Sequence, residues 1–189
     1  MYLMTGMKRS GKDTVAGMLA KRDYENTTLV AFAGPLKAMI RALLDSAGLD
    51  ATQIEYFMDG DGKEEPLDIL QGKSCRYAMQ KLGTEWRDFF GDNLWTGIVE
   101  SRVDKAVWDA QEVVMTDMRF PHEGVWGDKY DGLRIRVRRA GQKLSSDPHP
   151  SETAMENIPV HMTIYNHGSL FDLETIVSAA YAILNKDIA

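Results

Sequence analysis

Gly6-Met7-Lys8-Arg9-Ser10-Gly11-Lys12-Asp13-Thr14 is the stretch on which the reading of this chain turns. A short apolar run, Tyr2–Thr5, precedes it and reads as a buried strand. Val15, Met18 and Leu19 follow at the spacing of one helix face. Between a strand and a helix, Gly-x4-Gly-Lys is a phosphate-binding pattern with a physical basis. The glycines let the backbone wrap an anion, so that several N–H groups and the positive helix N-terminus point at it. Lys12 adds a mobile charge that can reach terminal phosphates. Gly6, Lys8, Arg9, Ser10, Gly11, Lys12, Asp13 and Thr14 are therefore the predicted nucleotide-binding residues. Asp13 stands where Ser or Thr ordinarily holds Mg²⁺, and Thr14 is better set for an α-phosphate. No direct protein ligand for Mg²⁺ is read; Asp13 or Asp117 is expected to act through water.

Outward from the loop, apolar runs alternate with helical patterns. Leu29–Ala33 reads as a strand that breaks at Gly34-Pro35 into a helix bearing Leu36, Met39, Ile40, Leu43 and Leu44, ended by Gly48. Helical patterns run from Ser74 to Phe90, interrupted at Gly83-Thr84, and from Asn93 to Ala110. Val113–Thr116, Leu133–Val137 and Met162–Tyr165 are further strands. Ser169 caps a last helix carrying Leu170, Leu173, Ile176, Val177, Ala180 and Leu184. The alternation implies an α/β fold: a parallel sheet of about five strands with helices on both faces.

The chain has 189 residues, a size for one domain with a small inserted subdomain. Its charge of −6 argues against polymeric nucleic acid and membrane surfaces as partners. That charge is local: residues 45–68 carry eight acids against Lys63, a net −7, leaving +1 elsewhere. The acidic tip is expected to face solvent. One cysteine, Cys75, suits a reducing cytoplasm, and no apolar run approaches the roughly 18 residues of a membrane span. The N-terminus lacks the pattern of a signal peptide. Leu94, Ile98 and Trp108 on one helix leave both a homodimer and a monomer core open.

Other polar positions join the loop. Asp117 ends the third strand, with Arg119 two residues on, and ligands of such sheets bind beyond the carboxyl ends of the strands. Lys37 follows a strand end at the same edge. Arg76 and Gln80 are four apart and share a helical face. Trp95 is either a base-stacking surface or a core residue. From Arg134 to Lys143 stand five cations and no acid. Arg138 and Arg139 are expected to begin an anion-binding lid loop, and Arg134 and Arg136 to form a solvated strand face. The four histidines lack zinc-ligand spacing, and the Asp59-Gly60-Asp61-Gly62 segment lacks the glutamate of a calcium loop.

Taken in order, several blocks resemble the deoxynucleoside monophosphate kinases of tailed bacteriophages. They are the loop at 6–14, Ala33-Gly34-Pro35-Leu36-Lys37, Met79-Gln80-Lys81-Leu82-Gly83-Thr84, Asp117-Met118-Arg119, Arg139-Ala140-Gly141-Gln142-Lys143 and Asn166-His167-Gly168-Ser169-Leu170. The resemblance implies one P-loop nucleoside monophosphate kinase-like domain over 1–189, with a helical acceptor-binding insert at about 45–92 and a lid at about 138–160. It implies ATP and Mg²⁺ as cofactors, a deoxynucleoside 5′-monophosphate as acceptor, and a cytoplasmic setting (the host's, for a phage protein). Leu36, Lys37, Arg76, Gly83, Thr84, Trp95, Asp117 and Arg119 would line the acceptor side, Arg139 would belong to the lid, and Asn166–Gly168 would lie beside the ATP base. Lys12, Asp117, Arg119, Arg138 and Arg139 are the candidate catalytic residues. The acceptor's phosphate oxygen is already ionised at pH 7, so the missing Ser-His-Asp or Cys-His set is expected. Two other readings stay open: a P-loop kinase of another phosphorylated metabolite, such as dephospho-coenzyme A, and a non-transferring nucleotide-switch ATPase.

Overall fold

A computed structural model describes residues 1–23, 25–142 and 153–185. Two compact units emerge: Met1–Phe32 with Glu100–Ala189, and Ala33–Val99.

The first unit is built on five parallel strands in the order β2-β3-β1-β4-β5: β1 (Tyr2–Thr5), β2 (Thr27–Val30), β3 (Glu112–Met115), β4 (Leu133–Arg139) and β5 (Met162–Asn166). β1 is central, pairing Leu3 with Met115 of β3 on one side and with Arg134 of β4 on the other. The chain fills one side of β1 before crossing to the other, so β1 marks the switch point of the sheet, where a ligand crevice is expected.

Alternation along β1 sorts the two faces. Tyr2 and Met4 join Val114, Ile135, Val137 and Ile164 under α1 (Lys12–Ala20) and the C-terminal helix Leu170–Leu184, whose Val15, Ala16, Leu19, Leu173, Val177 and Ala180 complete this core. Leu3 points the other way, where a Cβ on Gly127 would lie 2.7 Å from its Cδ2. The helix Pro121–Asp128 covers that face, and its Trp126 meets Phe32 edge-on at 5.3 Å. The expected α/β layering is present.

The second unit is helical: α2 (Gly34–Ser46), α3 (Ala51–Met58), α4 (Cys75–Phe90) and the first residues of α5 (Leu94–Trp108). Ile40, Leu44, Ile54, Met58 and Cys75 form its core, with Leu67, Met79 and Leu82 packed against it. Asp50 caps α3 reciprocally with Gln53, and Ser74 caps α4 through the Tyr77 N–H at 3.1 Å. The helix Pro121–Asp128 is α6 and the helix Leu170–Leu184 is α7.

The elements depart from the sequence expectation at several points. β2 ends at Val30, because the Phe32 N–H turns to the Asp117 carboxylate at 2.7 Å. α4 runs through Gly83-Thr84 without interruption, since Gly83 permits a close approach: a Cβ there would sit 3.2 Å from Leu36 Cδ2. β4 extends to Arg139, paired with Asn166, so Arg138 and Arg139 end a strand rather than begin a loop. Residues 143–152 of the expected lid lie outside the described residues.

Candidate active site

Every strand of a parallel sheet ends at the same edge, so Thr5, Met115, Arg139 and Asn166 deliver their following segments side by side. Thr5 leads into the glycine loop. Gly6 and Gly11 have φ of 150° and 94°, and Arg9 stands at 63°. A side chain at either glycine has no room: a Cβ on Gly6 would lie 2.5 Å from the Val137 carbonyl oxygen, and on Gly11 2.4 Å from Asn166 Nδ2. The loop closes on α1, whose first amides have no intrahelical acceptor. Inside the loop the Ser10 hydroxyl is fully buried without a hydrogen-bond partner. A cradle of this shape, with the first amides of α1 and an orphaned hydroxyl, fits a phosphate group.

Two carboxamides hold the loop from outside. Asn166 Nδ2, at the end of β5, donates to the Ser10 carbonyl at 3.0 Å. Gln142 Nε2 donates to the Lys8 carbonyl. Occupying outward carbonyls in this way fixes the peptide planes whose N–H groups remain for an anion. The Lys12 ammonium, 17% exposed, lies 2.9 Å from the Asp13 carboxylate, which is 77% exposed. Beside the loop is a cavity of about 600 Å³, lined by Gly6, Met7, Arg136, Arg138, Arg139, Gln142, Tyr165 and His167 among others.

Beyond β3, Asp117 accepts from Phe32 and so ties the end of β2 to the end of β3. Arg119 is presented by a buried carboxylate: Glu123, 5% exposed, accepts the Arg119 N–H at 2.6 Å and the Phe120 N–H at 3.0 Å. Pro121 at the start of α6 and Glu123 in its first turn together set this corner.

In the second unit, Lys37 and Arg41 lie one turn apart on α2 and share Asp59, at 2.5 and 2.6 Å. Burial pushes the Asp59 carboxyl up, but Lys37 and Arg41 outweigh this and hold it below its ordinary value. Arg76 Nε lies 3.9 Å from Glu64 Oε1. Gln80 and Thr84 are half-buried on the same helix.

The family model for deoxynucleotide monophosphate kinases matches residues 42–177. The chain belongs to the deoxynucleotide monophosphate kinase family. Its members are phosphotransferases that act on nucleotides, and membership implies small-molecule substrates with ATP as co-substrate. The glycine loop precedes the matched range, so its assignment rests on its own geometry. No curated protein matches the chain. A solved structure of TT1252 from Thermus thermophilus is similar at 20% identity and a TM-score of 0.41, covering 97% of this chain and 96% of that one. Among the described residues no helix is long and apolar enough to cross a membrane.

For this kinase the structure revises several expected roles. Trp95 is 6% exposed, stacked beside Trp86 with ring centroids 6.1 Å apart, and its indole N–H is committed to the Gly83 carbonyl at 3.0 Å. It is a packing residue, not an open base-stacking surface. Leu36 and Gly83 are buried where α2 meets α4. Arg134 and Arg136 are not solvated: Arg134 bonds the Gly124 carbonyl and Asp128, and Arg136 binds the carbonyls of Met155, Glu156 and Ile158. Arg138 and Arg139 are both exposed, and Arg138 pairs with Glu156. The acidic segment does not simply face solvent, since Asp59 and Glu64 lie against Lys37, Arg41 and Arg76. Gly168 is one residue ahead of the Ser169–Asp172 cap, where a Cβ would strike Asp172 at 2.5 Å. No motif in the sequence marks Glu123 or Arg41 as a site residue, and Gln142 and Asp59 stand there only within a resemblance block and a discarded calcium-loop pattern. Only Glu123 left a usable trace, an acid two residues after a proline at a helix start.

Proposed function

We propose that this kinase transfers the γ-phosphoryl group of ATP to the phosphate of a deoxynucleoside 5′-monophosphate, releasing ADP and the diphosphate. The observation that carries this reading is the glycine cradle at 6–11, shaped for a phosphate, in a chain of the deoxynucleotide monophosphate kinase family. The attacking group is an ionised phosphate oxygen, so no side chain has to remove a proton. What the reaction demands is in-line alignment and cancellation of charge on two crowded phosphates.

In this reading Gly6–Thr14 wrap the triphosphate, and Lys12 follows the β- and γ-phosphates. Arg119, held by Glu123 through its own backbone, and Arg138 and Arg139 at the end of β4 supply further positive charge to the transferring group. Asn166 keeps the loop in shape, and the Tyr165–Gly168 segment adjoins the base. In the second unit Lys37 and Arg76 bind the acceptor phosphate, with Gln80 and Thr84 alongside. Among the described residues no three His, Cys, Asp or Glu side chains converge on a metal site. Asp13, exposed beside Lys12, fits a water-mediated contact to a phosphate-bound Mg²⁺, as does Asp117. Mg²⁺ would neutralise β- and γ-phosphate charge.

Removing the loop lysine tests the donor half. Lys12→Ala should lower kcat for ADP release by about 10²–10³-fold, on the order of 3–4 kcal/mol as for a lost oxyanion donor. Near-normal turnover by that variant would contradict the assignment.

A further inference from the structure

One carboxylate, Asp59, occupies two cations at once. Lys37 Nζ donates to Oδ1 at 2.5 Å and Arg41 Nη2 donates to Oδ2 at 2.6 Å. The cations stand four residues apart, on one face of α2, with Lys37 in its first turns, where the helix dipole favours an anion. Arg41 also reaches Glu55 at 2.7 Å. Both cations and Asp59 remain reachable from water, at 40%, 35% and 34% exposure. Ion pairs this exposed contribute little to stability, so holding the fold together is a weak explanation for the arrangement. A two-oxygen anion seated between a lysine and an arginine presents the same acceptor atoms as two oxygens of a phosphate monoester.

We propose that Asp59 is an internal occupant of an acceptor-phosphate seat formed by Lys37 and Arg41, and that the acceptor's phosphate binds by displacing it. The proposal rests on the reading that Lys37 serves the acceptor, and it adds Arg41 to that side. Binding then becomes an exchange of anions at one seat. A phosphate monoester dianion outbids the single negative charge of Asp59, whereas a neutral nucleoside or a monocarboxylate does not. The competitor thus lowers affinity for every anion by the same factor, so that only an anion held strongly by both cations, as a phosphate dianion is, fills the seat at low concentration. It also keeps Lys37 and Arg41 paired and oriented before the acceptor arrives.

The test measures kcat and KM for each of the four common deoxynucleoside monophosphates at saturating ATP, in the wild type, Asp59→Asn, Lys37→Ala and Arg41→Ala. Asp59→Asn should lower acceptor KM by about threefold to tenfold with ATP KM unchanged, and Lys37→Ala and Arg41→Ala should each raise it. An acceptor KM that rises or stays level in Asp59→Asn, while both cation variants raise it, overturns the displacement and leaves the acceptor-side reading standing. Cation variants with normal acceptor KM overturn both. A structure of the wild-type protein with a bound deoxynucleoside monophosphate decides independently of how Asp59→Asn folds. The acceptor phosphate should lie within hydrogen-bond distance of Lys37 and Arg41 with Asp59 moved off; a phosphate bound elsewhere with the Lys37–Asp59 pair intact overturns the proposal.

Discussion

Asn166 commits its side-chain amide to the Ser10 carbonyl rather than leaving it for a nucleobase. A residue that holds the loop acts on every ligand of the loop, whatever base that ligand carries. Asn166→Leu should therefore weaken ATP and inorganic triphosphate by a similar factor, about tenfold for a half-buried hydrogen bond left half-made. Titration calorimetry with the two ligands reads this directly, and a loss confined to ATP would assign Asn166 to the base instead. The same logic explains why Gly11 has no substitute. Any Cβ there meets the Asn166 amide, and φ of 94° already disfavours an L side chain.

At the scale of elements, β1 carries the site and also the clearest pH signature. Tyr2 is buried, and its phenol oxygen accepts from Asn185 Nδ2 at 2.7 Å. Burial pushes its pKa up from 10.0 to about 12, with the Asn185 bond opposing the rise. The unfolded chain thus loses this proton at lower pH than the folded one. The stabilisation is complete below pH 10 and declines as pH climbs through about 12. Tyr130 is raised to about 12 as well, so Tyr2→Phe should flatten the alkaline loss of Tm without abolishing it. An unchanged slope in that variant would show that Tyr2 ionises as readily in the folded chain.

The elements also show what could be read from the sequence and what could not. Strand and helix on either side of Gly6–Lys12 were legible because the glycine spacing and the flanking apolar patterns agree with each other. α3 and α6 escaped. Each has eight residues and scattered apolar positions, so the signal lay in the caps: Asp50 with Gln53, and Pro121 with Glu123. The alternation at Arg134 and Arg136 reads as a solvated strand face. Arg134 instead pairs with the Gly124 carbonyl and Asp128, and Arg136 with the carbonyls of Met155, Glu156 and Ile158, partners that no local pattern reveals. Trp95 was undecidable locally for the same reason, since its partners Trp86 and Gly83 lie on another helix.

For the whole molecule, charge is divided by role. The segment 45–68 carries a net −7 and the rest of the chain +1, with cations clustered at the phosphate loop and along β4. Such a chain can repel polyanions and still hold mononucleotides, because the attraction is confined to a few groups at strand and helix ends. A phosphate cradle alone serves hydrolysis as readily as transfer; what distinguishes a kinase is that the γ-phosphoryl group ends on the acceptor, here a deoxynucleotide. Incubation with γ-labelled ATP and each of the four common deoxynucleoside monophosphates, followed by separation of the products, decides it. Label should appear in a deoxynucleoside diphosphate, in step with ADP, and little should be released as free phosphate when the acceptor is omitted. Label released as inorganic phosphate regardless of acceptor, or no labelled diphosphate from any of the four, would contradict it.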